Sequence, residues 1–502
     1  MIAKSQNQRI ILGLKVRQLR QQKQITFKEL NEKTGMSVSY LNEIERGKKY
    51  PKSDKIKLLA NALGEEPDEL ISSQLTGNLI PIGELLASNF LNELPLDLFG
   101  IELMKVVELI ATAPTKIGAF ISTLVELSRN HAVGEANFYQ AAVRAYQELH
   151  FNYFEEIEDA AARFVAEYDF PVDQPISVEL LEQTLKKKYK YRIVVDGLEQ
   201  YPELSRFRSV LIPQTRKLLL NKNITDTEKI FQYSKELAFN YLKLDERAET
   251  SSLLKVNSFD QVLNHFKAVY FASAILMNKA SVTKDLKAFF DRSTWNGEAF
   301  LGLRSKYAVS PEILLARLTN LLPKYLGLKK FFFMRMIHDQ GKDYFQVDKE
   351  LHLNHSHHPH SNNQEEHYCR RWMSVALLND LQQMQRSGKY LGTIVGAQRS
   401  QYYGTEDEYF SFTFARPGYS DGKKNSSVTI GLLLDEETRK TIKFADDPSI
   451  EKQIVNTTCE RCAIKDCKVR AAPATVIERR EERRKTIEAL QEAIRENGKK
   501  GK

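Results

Sequence analysis

The chain has 502 residues, of which 42% are hydrophobic and 27% charged, and it carries a formal net charge of +8. This length exceeds what one hydrophobic core supports, so roughly two to four domains are expected. No stretch is apolar over the roughly 18 residues of a membrane span, and the charged N-terminus lacks a secretory pattern. The sequence therefore predicts a cytoplasmic protein without a membrane partner.

The chain opens with a pattern of short amphipathic helices. Apolar residues recur at helical spacing over residues 9–22, and Arg17 and Arg20 fall on the other side of this helix. Thr26 and Glu29 have the spacing of a capping box, in which each side chain bonds the other residue's backbone amide. A short second helix is predicted to follow.

The next segment predicts a helix-turn-helix. Gly35 lies where the chain must turn, and Ser37 is a suitable N-cap for the following helix. A basic turn then leads to a helix that begins near Ser53 and ends before Gly64. The pattern predicts five short helices within residues 1–72.

The residues that carry this pattern are GMSVSYLNEIERGKKYPKSDKIKLLANAL, and they resemble the lambda-repressor-like, XRE-type helix-turn-helix family. The resemblance implies a homodimer on a pseudo-palindromic double-stranded DNA operator, with the third helix in the major groove. It implies contacts to bases or phosphates from Lys28, Ser37, Ser39, Tyr40, Glu43, Arg46, Lys48 and Lys49. Of these, the two serines, the tyrosine and the glutamate would face base edges. The alternative is a helical bundle whose lysines are merely solvated.

Residues 73–170 are predicted to form a connector or dimerisation region, loop-like to about residue 100 and helical from 101 to 168. Its aromatic side chains favour packing in a core or a dimer seam over contact with a ligand. They are Phe138, Tyr139, Tyr146, Phe151, Tyr153 and Phe154.

Residues 171–300 begin with short strands at YRIVVDGL and VLIPQTRKLLLNKNI. A helix capped by Thr225 and Glu228 follows, and it contains the run Lys235-Glu236-Leu237-Ala238-Phe239. This order of elements resembles the ImmA/IrrE-type zinc peptidases, whose corresponding helix carries His-Glu-x-x-His. The resemblance places the third zinc ligand at Lys267, four residues before Phe271.

The zinc chemistry of that family needs two imidazoles, a third ligand and a glutamate base. Lys235, Phe239 and Lys267 hold the ligand positions, and only Glu236 remains. Because ammonium groups repel a metal and phenylalanine has no lone pair, we predict a degenerate, non-enzymatic domain. A metallopeptidase that cleaves a repressor is the alternative.

The degenerate site predicts a different ligand. Lys235 and Lys267 would project into the former active site beside Glu236, and two ammonium groups suit a phosphate or carboxylate. In the alternative interpretation each lysine pairs with Glu236 or another acid and fills a vestigial pocket.

Residues 301–475 contain several alternating strand-like runs and one helix, which predict an antiparallel sheet in a ligand-sensing or a purely structural domain. Six histidines lie between residues 352 and 367, where irregular spacing favours an exposed loop over a metal site. They are His352, His355, His357, His358, His360 and His367. Residues 476–502 are predicted to be a charged helix.

The four cysteines form the other candidate site. Cys459, Cys462 and Cys467 lie on one short run, and Cys369 would be the fourth ligand. Four thiolates suit either zinc or an iron–sulfur cluster, and the spacing does not choose between them. Chance clustering of small buried residues is the alternative.

The cysteine run and the segment HYCRRW resemble the C-terminal region of the short-chain fatty acyl transcriptional regulators. The resemblance implies a multidomain α+β regulator of acetate- or propionate-type carbon metabolism that senses an acyl-CoA or related metabolite. Three functions are thus weighed: a ligand-responsive transcription factor, a metallopeptidase, and a redox or metal sensor acting through the cysteines.

Overall fold

The computed structural model describes residues 2–72, 135–254, 256–353, 366–389, 392–418 and 424–498. The predictions for residues 73–134 and for His355, His357, His358 and His360 lie outside the described residues. The chain divides into two compact units, residues 1–142 with 257–259 and residues 143–256 with 260–502. None of the described helices combines the length and hydrophobicity needed to cross a bilayer.

Five helices form the described N-terminal part of the first unit, as predicted. They are α1 (Ile2–Gln22), α2 (Phe27–Thr34), α3 (Val38–Glu45), α4 (Ser53–Leu63) and α5 (Pro67–Ile71). One residue or more from every helix enters a single apolar core that includes Leu12, Leu30, Leu41, Leu59 and Leu70. Burial of this shared face holds together helices too short to be stable alone.

Local capping sets the boundaries of the short helices. Thr26 and Glu29 form the predicted capping box at the start of α2, and Gly35 ends α2 in the left-handed conformation with φ +69°. The Ser37 side chain accepts the Tyr40 amide at the start of α3. The turn between α2 and α3 is therefore fixed by residues within the turn itself.

A close approach and an ion pair fix α1 against α3. A Cβ added at Gly13 would lie 2.5 Å from the Ile44 carbonyl oxygen and 2.8 Å from that of Glu45. Arg20 Nε lies 2.6 Å from Glu45 Oε1, and its guanidinium also covers the Phe27 ring at 4.2 Å. Arg20 was expected on the outer side of its helix. It is mostly buried instead, because its guanidinium pairs with the buried carboxylate of Glu45.

The helices of the second unit include α6 (Glu135–Leu149), which belongs to this unit from Val143 onward. The others are α7 (Glu155–Glu167), α8 (Val178–Tyr189), α9 (Asp226–Tyr241), α10 (Phe259–Leu276), α11 (Lys279–Phe290), α12 (Gly297–Lys306), α13 (Pro311–Tyr325), α14 (Met373–Arg386), α15 (Glu436–Thr441) and α16 (Thr475–Gly498). The predicted capping box of Thr225 and Glu228 is present at the start of α9.

The strands of the second unit form two sheets. The small sheet contains β1 (Arg192–Val194), β2 (Ser209–Ile212) and β3 (Lys217–Leu220) in the order β1-β3-β2. The large sheet contains β4 (Phe331–Asp339), β5 (Phe345–His352), β6 (Ile394–Tyr402), β7 (Glu408–Pro417), β8 (Lys424–Leu433) and β9 (Glu451–Val455). Its order is β5-β4-β8-β7-β6-β9, antiparallel as predicted except that β9 runs parallel to β6.

One apolar core joins segments that the sequence assigned to separate domains. It contains Phe164 of α7, Leu237 of α9, Leu318 of α13 and Phe412 of β7. A buried polar network crosses the same core, in which the Arg317 guanidinium donates to both carboxylate oxygens of Glu158. These helices and one face of the large sheet thus pack as one body. The opposite face of the sheet packs under α14 in a second core.

Replacement of Gly13 by alanine tests the contact between α1 and α3. The new methyl group would overlap two carbonyl oxygens, so we expect the first unit to lose about 1–3 kcal/mol of unfolding free energy. Hydrogen exchange of the α1–α4 amides measures this loss. Gly302→Ala is the control, because a Cβ there meets nothing within 4 Å, and it should stabilise α12 by roughly 0.5–1 kcal/mol. Equal protection in the Gly13→Ala and wild-type proteins would contradict the contact.

Candidate DNA-binding, ligand and metal sites

The outer face of α3 and the turn after it form the candidate DNA interface. Ser37, Ser39, Arg46, Lys48 and Lys49 are exposed there. Leu41 and Ile44, on the inner face of α3, are fully buried. The packing of α3 on α1 thus leaves these polar residues facing solvent. A recognition helix in a major groove requires such an exposed polar face.

The remaining residues predicted to contact DNA differ in their solvent exposure. Lys28 is exposed on α2, whereas Tyr40 and Glu43 are half-buried. The Lys55 ammonium lies 4.3 Å from the centroid of the Tyr40 ring. Sequence reasoning missed Lys55, because its contact with Tyr40 joins two different helices and leaves no signal in local spacing. This pair places a further cation beside α3.

A basic turn follows α3 and is shaped by the backbone. Gly47 has a φ of +63°, and the Lys48 and Lys49 amides both donate to the Glu43 carbonyl oxygen at 2.9 and 3.2 Å. The two lysines therefore lie directly after the C-terminal end of α3, in a turn held by these hydrogen bonds. Cations so placed suit phosphates on either side of a groove.

Hydrogen bonds join the residues of the predicted peptidase-like site. Glu236 is buried, its Oε1 lies 2.6 Å from an Arg247 nitrogen, and its Oε2 accepts the Tyr191 hydroxyl at 2.8 Å. The Arg247 guanidinium stacks on the Phe239 ring at 3.8 Å. An arginine from outside α9 thus neutralises the carboxylate. Arg247 was missed because it lies eleven residues after Glu236 in an irregular segment.

Neither predicted lysine forms an ion pair with Glu236. Lys235 is buried and its Nζ donates to the Ser251 carbonyl oxygen at 2.7 Å. Burial lowers the pKa of Lys235 to about 7, against the opposing effect of the Glu236 carboxylate. Lys267 is half-buried on α10. Contact of Lys235, Glu236 or Lys267 with an anionic ligand stays a prediction.

Several cations surround Glu312, and we call them the cationic cluster: Arg208, Arg335, Lys349 and Arg416. Of these, Arg208 and Lys349 also lie near Lys235. Glu312 Oε2 lies 2.7 Å from Arg335, and its Oε1 accepts from Lys349 at 2.6 Å. Burial would raise the pKa of Glu312, but these cations lower it well below its ordinary value. Lys349 is 52% exposed, so the cluster reaches solvent.

Arg416 is the least compensated member of the cationic cluster. It lies on the face of β7 that carries Phe412 and Phe414, directed toward the larger core of the second unit. Desolvation lowers the pKa of Arg416 below that of an ordinary guanidinium. Within the described part of the chain no ion pair includes Arg416. A guanidinium with this environment is suited to an anionic ligand.

The four cysteines come together although 90 residues separate Cys369 from Cys459. All four line one small cavity, together with Arg370, Arg371 and Arg470 and the apolar side chains of Ile464 and Val469. Backbone pairing brings the two segments together, because the Cys369 amide donates to Thr457 and the Cys459 amide to His367.

Four cysteine thiols are donors of the type that zinc and iron–sulfur clusters accept. The Cys462 amide bonds the Cys459 carbonyl oxygen in a tight turn at 3.2 Å, and the Ala471 amide donates to Cys459 Sγ at 3.4 Å. Arginines around the cavity offset the negative charge that four thiolates would bring. As the side chains stand, no three His, Cys, Asp or Glu groups among the described residues have metal-binding geometry. Side-chain rotation would therefore have to accompany binding.

His367 is placed outside this donor set. Its Nδ1 lies 2.8 Å from Glu460 Oε1, and its backbone amide donates to the same carboxylate. His352, the other described member of the histidine-rich segment, is buried at the end of β5. The expectation of an exposed loop therefore fails for His352, because the strand carries it inward.

Comparisons with known proteins agree with two of these regions. Residues 16–70 match the family described as Helix-turn-helix, and residues 188–319 match the family described as IrrE N-terminal-like domain. No curated protein matches the chain. Among solved structures, a Mycobacterium tuberculosis transcriptional regulator is 18% identical, with 67% of this chain and 94% of that chain covered and a TM-score of 0.47. The chain thus joins an XRE-type helix-turn-helix domain to an IrrE-like domain, as predicted.

Proposed function

We propose that the chain is a sequence-specific DNA-binding transcription regulator whose second unit senses a metabolite. The observation that carries the proposal is the exposed polar face of α3, which lies within the residues that match the helix-turn-helix family. Hydroxyl groups suit base edges, and lysines at the following turn suit phosphates. The two half-sites of a pseudo-palindromic operator would each take one copy of the first unit.

The triple variant Ser39→Ala, Tyr40→Ala and Lys48→Ala tests this face. We expect operator affinity to fall by at least roughly 100-fold, because each lost base contact costs about 1–3 kcal/mol. The salt dependence should also weaken by about one phosphate contact. Mobility shifts over a salt series, on an operator found by chromatin immunoprecipitation, measure both effects.

Two further variants separate binding from folding. The double variant Ser39→Ala and Lys48→Ala changes only exposed residues. It should show most of the fall in operator affinity expected for the triple variant, without disturbing the core. Lys187→Ala removes an exposed lysine of α8 and should leave affinity unchanged. Full operator affinity of the triple variant at every salt concentration would refute the DNA interface.

We propose a regulatory rather than a proteolytic role for the IrrE-like domain. A metallopeptidase needs a metal beside its glutamate to activate water. Here Arg247 neutralises Glu236 and the Tyr191 hydroxyl donates a hydrogen bond to it, and lysine and phenylalanine hold the positions that the resemblance gives to the helix ligands. Metallopeptidase activity on a repressor is the alternative, and zinc-dependent cleavage by the purified protein would favour it.

The effector we propose is a short-chain acyl-CoA or a related anionic metabolite of carbon metabolism. Support comes from the cationic cluster, whose Lys349 reaches solvent and whose Arg416 forms no ion pair with any described residue. The phosphates of such a thioester carry negative charge that could pair with Arg416 and could compete with Glu312 for Lys349. Lys235 and Lys267 would then lie near the ligand rather than form its main contacts.

Arg416→Gln tests the effector site. We expect acetyl-CoA or propionyl-CoA to change the operator affinity of the wild-type protein, and the variant to need at least about tenfold more thioester for the same change. Arg192→Gln, the same substitution at an exposed strand residue, should respond like wild type. Titration by mobility shift measures the response. If no common short-chain thioester shifts binding, the effector proposal fails while the DNA interface stands.

We also propose that Cys369, Cys459, Cys462 and Cys467 hold zinc or an iron–sulfur cluster. Support comes from the shared cavity and from the amide that donates to Cys459 Sγ. A change of operator affinity on oxidation or metal removal would make this site a sensor. Unchanged affinity would make it structural.

Metal content of the anaerobically purified protein tests the cysteine site. We expect one equivalent of zinc in colourless protein, or iron and sulfide in brown protein, and loss of most of it in Cys369→Ser. His367→Gln is the control, because His367 bonds Glu460 instead of lining the cavity. Equal metal content in wild type and Cys369→Ser would contradict a four-cysteine site.

A further inference from the structure

Three of the four cysteines lie on an irregular segment, residues 459–472, which we call the cysteine loop. The cysteine loop contains no helix or strand, so its carbonyl groups are not paired by a helix or a sheet. Tight turns satisfy two of them, because the Cys462 amide donates to the Cys459 carbonyl oxygen and the Arg470 amide to that of Cys467. A metal site needs donor atoms held in a fixed arrangement. Contacts other than regular secondary structure must therefore hold this loop.

The Arg470 guanidinium connects separate parts of the cysteine loop. Its Nη1 donates to the Cys459 carbonyl oxygen at 2.7 Å and to that of Ala472 at 3.3 Å. Its Nη2 donates to the carbonyl oxygens of Cys462 at 3.0 Å and Ile464 at 2.5 Å. One planar group thus joins the beginning, the middle and the end of the loop, and two of its four acceptors belong to cysteines.

Arg470 differs from nearby arginines in its charge balance. Arg461 pairs with Glu366, and Arg370 pairs with Asp343. Arg470 is half-buried beside the cavity that the cysteines line, and in the part of the chain that the structure describes no carboxylate forms an ion pair with it. Carbonyl oxygens accept its hydrogen bonds but bring no net negative charge. Thiolates bound to a metal ion or cluster would bring that charge.

Backbone amides donate to two of the thiol sulfur atoms. The Ala471 amide donates to Cys459 Sγ at 3.4 Å, and backbone hydrogen bonds from Arg371 and Asn456 go to the Cys369 thiol. Hydrogen bonds of this kind stabilise thiolate ligands and tune the clusters that they hold. The adjacent guanidinium holds the backbone on which Ala471 lies, and so it also holds the first of these bonds.

We propose that Arg470 is the positioning residue of the cysteine site. Its guanidinium holds the cysteine loop so that Cys459, Cys462 and Cys467 can bind a metal ion or cluster together with Cys369, and its charge offsets that of the thiolates. This inference rests on the proposed metal site and deepens it, because that proposal names the ligands but no residue that orders them. The role requires a guanidinium, since a lysine ammonium has one nitrogen and cannot span acceptors that two nitrogens serve.

Binding of Co²⁺ to the metal-free, full-length protein tests the role of Arg470. Thiolate-bound Co²⁺ absorbs visible light, so a titration followed by absorbance reports both affinity and coordination geometry. We expect Arg470→Gln and Arg470→Lys each to bind Co²⁺ at least about tenfold more weakly than wild type and with a weaker tetrahedral band, as loss of a group that orients metal ligands commonly does. Arg483→Gln is the matched control, because Arg483 is an exposed arginine of α16, and it should bind Co²⁺ like wild type.

Alkylation of the thiols in the same metal-free proteins measures the order of the loop without any metal. Cys459 and Cys462 are buried, so iodoacetamide should modify them slowly in wild type and at least roughly fivefold faster in both Arg470 variants. Cys369 lies outside the loop, and its rate should not change. Peptide mass spectrometry measures each rate, and circular dichroism shows whether the variants keep their fold. Equal rates in wild type and variants would contradict ordering of the loop by Arg470.

The outcomes of the cobalt titration differ in what they refute. If wild-type protein binds no Co²⁺ through thiolates, the four-cysteine site fails and the role of Arg470 fails with it. If wild type does so and Arg470→Gln binds Co²⁺ equally well, only the role of Arg470 is refuted and the metal site stands. Wild-type affinity in Arg470→Lys would show that a positive charge is sufficient, which would overturn positioning by the guanidinium.

Discussion

Paired burial of charge is the constraint on which both units depend. Five buried glutamates in the described part of the chain each contact an arginine, among them Glu45 with Arg20, Glu158 with Arg317, and Glu236 with Arg247. Removing either partner would leave an uncompensated buried charge, which costs far more than the pair itself contributes. Each pair joins different elements of the fold, so the ion pairs select one packing arrangement among those that the apolar residues alone would permit.

The pair of Glu236 and Arg247 places a cation beside a buried carboxylate of the IrrE-like domain. In a zinc enzyme the metal supplies the positive charge beside the glutamate. Here the arginine supplies it, and the Phe239 ring covers the guanidinium at 3.8 Å. Lys235 turns to a backbone carbonyl group instead. Glu236 and Lys235 are thus each held by partners within the protein, whereas Lys349 is 52% exposed.

Local signals in the sequence predicted local structure well. The capping boxes at Thr26 and Thr225 were correct because both partners lie within three residues. Arg247, Arg416 and Lys55 could not be found, since their roles depend on contacts between distant elements, and parallel pairing of β9 with β6 likewise has no local pattern. The proximity of Cys369 to the other three cysteines was predictable because so few cysteines occur. The core shared by residues on both sides of position 300 likewise depends on contacts between distant segments.

Hydrogen bonds within the protein hold the cysteine loop, which carries Cys459, Cys462 and Cys467. The Arg470 guanidinium donates to the carbonyl oxygens of Cys459, Cys462 and Ile464, and Arg461 pairs with Glu366 across the two segments. The Cys369 carbonyl oxygen also accepts the Trp372 amide, directly before α14 begins. Because α14 covers one face of the large sheet and α16 starts from the same loop, a rearrangement of the thiols would act on both helices. The loop is therefore hydrogen-bonded to the segments from which both α14 and α16 begin.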